Sequence, residues 1–186
     1  MYLNCCSEKA AEKQRRLEQC ILELLQTELY DNISVSQLCS LTGVSRKTFY
    51  RLFDGKADVL YALIDHTLMD FEHYVPDPSV GPGGIHRFLA FCRDNRALLT
   101  ALDTNNIRAL LTERSLLLIL AEDKATMELF GVAGQEYAND MMLFYVSGIF
   151  ALVQAWHSSG YQRSIDEMSD LLNFLMQKSP LEPYNR

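Results

Sequence analysis

Hydrophobic side chains recur at intervals of three and four residues along most of the chain, which is the spacing of one face of an α-helix. Within residues 8–29 this stripe consists of Leu17, Cys20, Ile21, Leu24, Leu25 and Leu29. The same spacing predicts further helices over residues 56–73, 85–100, 106–120, 124–130 and 135–158. No segment shows the strict alternation of a strand, so the expected fold class is all-α.

A short helix with its own N-terminal cap is predicted after the first stripe. Asp31-Asn32 interrupts the stripe, and Ser34 is then placed to accept hydrogen bonds from the first turn of the next helix. The residues of this helix that are expected to face inward are Val35, Leu38, Cys39 and Leu41.

A second short helix follows a glycine. Gly43 supplies the permissive backbone that a tight turn needs. Ser45 is placed to cap a helix over residues 46–53. Phe49 and Phe53 are four residues apart and therefore lie on one face of that helix, where they are expected to anchor it.

The last predicted helix also carries an N-terminal signal. Ser164 and Glu167 have the spacing of a capping box, which opens a helix that runs through Gln177. Its inward residues are expected to be Ile165, Met168, Leu172 and Leu175.

The formal net charge of −7 argues against binding to a polyanion until its distribution is considered. Residues 1–60 hold eight basic and eight acidic side chains, whereas residues 61–186 hold nine basic and sixteen acidic ones. Within residues 45–56 the single acidic side chain is Asp54. The basic side chains there are Arg46, Lys47, Arg51 and Lys56. Positive charge is thus concentrated on one short segment of an acidic chain.

Two short helices joined through a glycine turn are typical of the helix-turn-helix, whose second helix enters the major groove of DNA with its N-terminus first. Ser45 and the free amides beside it offer a site for a phosphate. Arg46 and Lys47 lie at the leading end, where long side chains reach the O6 and N7 atoms of guanine. Thr48 is suited to a phosphate or to a thymine methyl group.

Two more side chains are expected on the phosphate backbone. Tyr50 lies opposite the phenylalanine anchors, and Lys56 opens the next helix. The full set of candidate DNA-contacting residues is Ser34, Ser45, Arg46, Lys47, Thr48, Tyr50, Arg51 and Lys56. A helical hairpin with a solvated basic face is the alternative. The agreement of turn, caps, anchors and donors in order and spacing favours duplex DNA as the partner.

This stretch resembles the tetracycline-repressor (TetR) family. Gly43-Val44-Ser45, Thr48-Phe49-Tyr50-Arg51, Phe53 and Lys56 match the family's signature GVS-x-x-T-L-Y-x-x-F-x-x-K, and the resemblance covers about residues 12–65. It implies a cytoplasmic, dimeric transcriptional regulator, most often a repressor, that binds a palindromic operator.

Two positions depart from the family pattern. Lys47 stands where the family has a small residue, so base readout is expected to differ from that of relatives. Gly55 stands where a polar cap is common, which leaves Asp54 as the expected capping group of the following helix.

A break in the helical pattern separates two halves of the chain. Residues 75–84 contain three prolines and three glycines, a composition that no helix tolerates. We therefore expect a helix-turn-helix domain over residues 8–56, a connecting helix and linker over 57–84, and a helical ligand-binding and dimerisation domain over 85–178.

The C-terminal half contains a candidate dimer surface. The helix over residues 135–158 is apolar on nearly every side, so it needs more than one covering neighbour. Pairing with the last helix, and with both helices of a second chain, gives a four-helix bundle. The candidate interface residues are Gly148, Leu152, Trp156, Met168, Leu172 and Leu175. A core within one chain is the alternative.

The resemblance also implies a small effector held among the middle helices, whose binding changes the spacing of the two recognition helices. Candidate lining residues are Phe88, Phe91, Cys92, Leu117, Met141 and Tyr145. Their character predicts an apolar or aromatic effector. Control by a protein partner, with no small ligand, stays open.

Other classes of function find less support. The sequence has no G-x-S-x-G elbow, P-loop or H-E-x-x-H pair, so no enzyme is predicted, and a helical-bundle enzyme or scaffold remains the weaker alternative. The five cysteines lack C-x-x-C spacing and the four histidines are scattered, so no metal or other cofactor is expected. The apolar run over 141–156 is shorter than the about 20 residues of a membrane span. With no signal peptide, this predicts a buried helix in a cytoplasmic protein without membrane contact.

Overall fold

A computed structural model describes residues 7–77, 83–121 and 135–177. All regular structure within these ranges is helical, which confirms the all-α fold class. The helices are α1 (Glu8–Leu25), α2 (Val35–Thr42), α3 (Arg46–Leu52), α4 (Lys56–Asp70), α5 (Gly84–Asp94), α6 (Arg96–Thr104), α7 (Ala109–Ala121), α8 (Gln135–Ser158) and α9 (Ile165–Gln177). Short 3₁₀ turns follow α1 and α4, at Tyr30–Asn32 and Phe71–His73. The helix predicted over 124–130 lies outside the described residues.

Two predicted helices end or break earlier than expected. α1 ends at Leu25, so Leu29 lies beyond the helix and is exposed. The helix predicted over 85–100 is two helices that meet at Asn95. The side-chain amide of Asn95 donates to the backbone carbonyl of Phe91 at 3.0 Å, and such a side chain competes with the helix for its own hydrogen bonds.

The helices pack around a core that runs continuously from α1 to α9. α1 lies against α2, α4 and α6, and α4 extends the core by packing on α7. α7 in turn packs on α8, and α5 packs on α9. The first three helices are therefore joined to the C-terminal half by α4, which packs on α7, and by α1, which packs on α6.

Buried polar contacts fasten α4 to both of its large neighbours. On the α1 side, Nδ1 of His66 lies 3.0 Å from both carboxylate oxygens of Glu18, and the amide of Gln14 donates to the same carboxylate at 3.0 Å. On the α7 side, Asp65 accepts a hydrogen bond from Nε of Arg114 at 2.7 Å. These contacts fix the orientation of α4 relative to both halves.

α8 is buried on one face and exposed on the other. Its buried side chains are Met142, Val146, Val153 and Trp156. Its exposed face includes Phe144, Gly148, Ala151 and Ala155. Neighbours within the described chain cover only one face, so the buried helix expected from the sequence is buried on that face alone. Among the described residues, one segment, Asp140–Ser158, is long and apolar enough to cross a membrane by length and composition alone.

The capping box predicted at the start of α9 is confirmed. The backbone N–H of Ser164 donates to Oε2 of Glu167 at 2.8 Å, and the N–H of Glu167 donates to Oγ of Ser164 at 3.2 Å. These hydrogen bonds hold the pKa of the Glu167 carboxyl below its usual value. Ile165, Met168 and Leu172 face inward as expected, whereas the side chain in the last turn at residue 175 is exposed.

Candidate nucleic-acid interface

A capping box starts the first helix of the helix-turn-helix. Oγ of Ser34 accepts from the backbone N–H of Gln37 at 3.1 Å, and Oε1 of Gln37 accepts from the N–H of Ser34 at 3.4 Å. The amide of Gln37 also donates to Glu28 at 2.9 Å, which ties the start of α2 to the end of the α1 segment. The cap expected at Ser34 is confirmed. Gln37 was not singled out from the sequence, although Ser-x-x-Gln is the spacing of a capping box.

The turn between α2 and α3 depends on a left-handed glycine. Gly43 has φ of +68°, a backbone conformation that costs an L side chain about 1–2 kcal/mol. Val44 is buried behind the turn. Oγ of Ser45 then accepts from the backbone N–H of Thr48 at 3.2 Å and caps α3, as predicted.

α3 has one buried and one exposed face. Phe49, Leu52 and Phe53 are buried, and the rings of Phe49 and Phe53 lie 5.9 Å apart between centroids. The side chains exposed on the opposite face are Arg46, Lys47, Tyr50 and Arg51, with Thr48 half-buried at its edge. α2 differs from its prediction at one position, since Leu41 is exposed. The anchors therefore hold α3 with its basic side chains directed to solvent.

Arg46 is held across both helices of the unit. Its Nη1 donates to Oγ of Ser36 on α2 at 2.7 Å. Its Nη2 lies 3.5 Å from the hydroxyl of Tyr50, and its guanidinium carbon lies 5.9 Å from the centre of that ring. Ser36 was not singled out from the sequence, because its contact with Arg46 bridges ten residues and two helices.

Lys56 has a different position from the one expected. Its Nζ donates to the backbone carbonyls of Tyr30 at 2.7 Å, Asp31 at 3.2 Å and Ile33 at 2.9 Å. It also lies 4.4 Å from the centre of the Tyr30 ring, within reach of a cation–π contact. An ammonium group has three donors. All three are used inside the protein, which makes Lys56 a tie between α4 and the turn before α2, and its phosphate contact stays a prediction.

The expected cap of α4 is also corrected. Gly55 is the N-cap residue and provides no side-chain hydrogen bond. Asp58, in the first turn, accepts from the backbone N–H of Asp54 at 2.8 Å. Asp54 precedes the N-cap residue by one position, so its carboxylate does not cap the helix.

The candidate dimer residues divide into core and surface. Trp156, Met168 and Leu172 are buried within the chain and have little area left for a partner, so they belong to the core. Leu152 is half-buried, and Gly148 and Leu175 are exposed. Of the six predicted interface residues, Gly148 and Leu175 therefore lie on the exposed surface that α8 and α9 offer.

The candidate pocket residues do not share one cavity wall. Phe88 and Phe91 pack their rings against Phe71, with centroids 5.9 Å and 5.3 Å away, and Cys92 is buried in the core. These aromatic side chains fill space between α4, α5 and α8. On α7 and α8, Leu117 is exposed, and Met141 and Tyr145 are half-buried.

Comparison with known proteins agrees with the helix-turn-helix geometry. The chain is 29% identical over 105 residues to HTH-type transcriptional regulators of Staphylococcus aureus strains USA300 and NCTC 8325. It is 28% identical over 105 residues to the HTH-type transcriptional regulator of the bovine strain RF122. Each match covers 52% of this chain and 57% of the relative, so it spans little more than half of the relatives' length. No protein-family model matches the chain.

Proposed function

We propose that this chain is a DNA-binding transcriptional regulator that inserts α3 into the major groove. The observation that carries the proposal is the two-faced character of α3, which is anchored by Phe49 and Phe53 and exposes its basic side chains. The similarity to HTH-type transcriptional regulators supports the same function. The matched signature further supports a TetR-like regulator that acts as a repressor in the cytoplasm, where it has access to DNA.

Each exposed group at the leading end of α3 has a proposed role. Arg46 and Lys47 read base edges, and Ser36 holds the Arg46 side chain in place before DNA binds. The N-terminal amides of α3, with Ser45 and Thr48, receive a phosphate. Tyr50 and Arg51, also exposed, add backbone contacts, and Ser34 at the start of α2 acts from the same surface.

A homodimer would bring two recognition helices to a palindromic operator, since a twofold axis pairs identical half-sites. The support is an exposed stripe on α8, formed by Phe144, Gly148, Ala151 and Ala155 at spacings of four, three and four. Its small residues permit close approach of a second helix. Phe174 and Leu175 extend the exposed apolar surface onto α9.

Control of DNA affinity by a small effector completes the proposal. The connection of α7 through α4 to the helix-turn-helix supports it, because a ligand among the C-terminal helices would act on elements packed against α4. A protein partner that binds the same helices is the second candidate for this control.

The experiment that tests the proposal begins with selection of bound sequences from random duplex DNA. We expect a palindrome, and an affinity that falls steeply between about 50 and 200 mM salt because phosphate contacts release counterions. Arg46→Ala and Lys47→Ala are expected to change the preferred sequence at a cost of about 1–3 kcal/mol for a lost bidentate base contact. Arg163→Ala, which removes an exposed charge in the turn before α9, is the control and should bind like the parent. Affinity that is independent of salt and sequence would contradict the proposal.

A further inference from the structure

Asn105 is the residue at which α6 ends. It is the C-cap residue of the helix, and Asn106 after it has φ of +56°, in the left-handed region that closes many helices. The backbone N–H of Ile107 donates back to the carbonyl of Leu102 at 2.9 Å and completes this closure. Because asparagine tolerates the left-handed region better than most residues, the pair Asn105-Asn106 suits this helix end.

The side chain of Asn105 forms hydrogen bonds with the end of α1 and with the turn that follows α1. Its Oδ1 accepts from the backbone N–H of Tyr30 at 2.5 Å. Its Nδ2 donates to the carbonyl of Leu25, the last residue of α1, at 3.3 Å and to the carbonyl of Ala101 within α6 at 2.8 Å. A primary amide offers an acceptor and two donors, so both ends of this group are used.

A second side chain joins α1 to the other end of α6. Nε2 of Gln26, the C-cap residue of α1, donates to the carbonyl of Ala97 in the first turn of α6 at 3.0 Å. Gln26 is exposed whereas Asn105 is half-buried, so water competes more strongly for the hydrogen bond of Gln26. The hydrogen bonds of Asn105 to Tyr30 and Leu25, and of Gln26 to Ala97, are called the α1–α6 contact below.

Tyr30 is bound from two sides. Its N–H donates to Asn105 of α6, and its carbonyl accepts from Nζ of Lys56, at the start of α4, at 2.7 Å. Lys56 also binds the carbonyl of Ile33, which directly precedes Ser34, the N-cap residue of α2. The segment between α1 and α2 is therefore connected both to the C-terminal half and to the helix-turn-helix by hydrogen bonds to its backbone.

The α1–α6 contact adds a second point of attachment between the two halves. Asp65 of α4 binds Arg114 of α7 at 2.7 Å, which is the first point. An ion pair by itself fixes one point and leaves rotation about that point open. The α1–α6 contact is formed by different helices, so the two attachments together define an orientation.

We propose that Asn105 is a positioning residue for DNA binding, which holds the helix-turn-helix at a fixed orientation relative to the C-terminal half. Phe49 and Phe53 anchor α3 independently of Asn105, so the recognition helix itself does not need this contact. A regulator that binds two half-sites at once does need both recognition helices at a defined spacing. The positioning role rests on the proposed DNA-binding function, whereas the α1–α6 contact does not.

The contact is tested first in the full chain without DNA, by hydrogen exchange of the backbone amide of Tyr30 relative to amides of α9. An amide held by a native hydrogen bond exchanges only when the structure around it opens. In Asn105→Ala we expect this exchange to be about tenfold faster than in the parent, because one hydrogen bond is lost. Asn173→Ala removes a hydrogen bond within α9 and is the matched control, with parent-like exchange at Tyr30. Parent-like exchange in Asn105→Ala would overturn the contact.

The positioning role is tested with two duplexes, the selected palindrome and the same duplex with one half-site scrambled. The readout is the ratio of the two affinities, because a general loss of stability lowers both affinities together. We expect Asn105→Ala to lower this ratio about tenfold, while the affinity for the single half-site changes by no more than about twofold. An unchanged ratio would overturn the positioning role.

Gln26→Ala tests the same role at an exposed position, where the fold is expected to tolerate substitution. It removes the hydrogen bond to Ala97 and should lower the ratio about threefold. Gln19→Ala, on the same helix, removes an exposed hydrogen bond to Glu23 within α1 and is the control with an unchanged ratio. If Asn105→Ala does not fold, a parent-like ratio in Gln26→Ala overturns the proposal.

The two measurements separate this proposal from the proposed function. A parent protein that binds no DNA, or that does not prefer a palindrome, would sink the proposed function and the positioning role with it. Fast exchange of the Tyr30 amide in Asn105→Ala would still establish the α1–α6 contact. A parent that prefers the palindrome, with the same ratio in Asn105→Ala, would overturn the positioning role alone.

Discussion

Asp65 of α4 and Arg114 of α7 form a buried ion pair that joins the helix-turn-helix to the C-terminal helices. Nε of Arg114 donates to Oδ1 of Asp65 at 2.7 Å, and Nη2 is paired with Oδ2. Asp65 is only 2% exposed, and the Arg114 guanidinium also lies 5.4 Å from the centre of the Tyr61 ring. The hydrogen bonds to Asp65 raise the pKa of Arg114, so the guanidinium stays charged. The pair therefore links the two halves at one defined point.

Removing the cation of this pair is expected to destabilise the protein strongly. Arg114→Met leaves the buried carboxylate of Asp65 without its partner, which costs about 3–5 kcal/mol in the free energy of unfolding. Urea denaturation measures the loss. Arg16→Met breaks an exposed pair with Glu12 and should cost no more than about 1 kcal/mol. Similar losses in the two variants would show that the Asp65–Arg114 pair stabilises the protein no more than an exposed ion pair does.

Lys56 is expected to act on stability rather than on phosphate binding. Lys56→Met keeps the aliphatic stem but removes three hydrogen bonds, and hydrogen bonds to a charged group contribute about 1.5–3 kcal/mol each at most. The Tm should fall, while the dependence of DNA affinity on salt should keep its slope. Lys47→Met, at an exposed position, should leave the Tm nearly unchanged. If the slope of log affinity against log salt concentration is smaller by about one in Lys56→Met, then Lys56 does contact a phosphate.

The turn between α2 and α3 is expected to need glycine for its backbone alone. A Cβ at Gly43 would meet nothing within 4 Å, but φ is +68°, so Gly43→Ala should cost about 1–2 kcal/mol of stability. Gly55→Ser should have the opposite sign, because it adds the missing cap of α4, which contributes about 0.5–2 kcal/mol. Thermal unfolding should therefore show a lower Tm for Gly43→Ala and a higher Tm for Gly55→Ser than for the parent. Equal effects would contradict the conformational explanation.

The proposed dimer depends on the exposed stripe of α8. Phe144 is 70% exposed, so Phe144→Asp should leave the fold of one chain intact and dissociate the dimer. Sedimentation equilibrium should give half the parent mass, with weaker operator binding. Val75→Asp, at an 85% exposed position after α4, is the matched control. Trp156 is a poor probe of the interface, since it is buried and donates to the Arg163 carbonyl at 2.8 Å. An unchanged mass in Phe144→Asp would contradict this surface.

The buried cysteines are expected to resist alkylation. Burial raises the pKa of the Cys92 thiol to about 12, and it also raises the pKa of Cys20 and Cys39. At pH 8 only about one Cys92 in ten thousand is then a thiolate, the reactive form. Peptide mass spectrometry after iodoacetamide treatment should find Cys92 unmodified in the native protein and modified in urea. Rapid native modification of Cys92 would contradict the burial.

Local features of the fold were predictable because their determinants are close together in the sequence. The caps at Ser34 and Ser45 and the capping box at Ser164 each depend on residues three positions apart, and all three are confirmed. Predictions failed where one residue interrupts a good hydrophobic pattern. At Asn95 the backbone leaves the helical conformation and divides a predicted helix in two, which the hydrophobic period does not register.

The candidate DNA-binding surface was predictable in part. The spacing of Phe49 and Phe53 orients α3, so the exposure of Lys47 follows from helical geometry. Arg46 lies three and seven residues before these anchors, close to their face of the helix, and its exposure is evident only in the structure. The partners of the basic residues do not follow from helical geometry. Ser36 holds Arg46 from another helix, and the carbonyls that bind Lys56 lie more than twenty positions earlier in the chain.

Amino-acid order alone thus determined the all-α class, the caps and turn of the helix-turn-helix, and the basic character of α3, because each is a matter of neighbouring residues and helical period. The tertiary structure decided which side chains make contacts inside the protein and which are exposed and able to bind a partner. It gave Lys56 three backbone carbonyl partners inside the protein, and it placed Trp156 in the core. It also brought Asp103, Arg108 and His157 together from the ends of α6 and α8 and the start of α7. Such contacts depend on how helices pack against one another. The spacing of side chains within one helix does not show which residues of another helix they will meet.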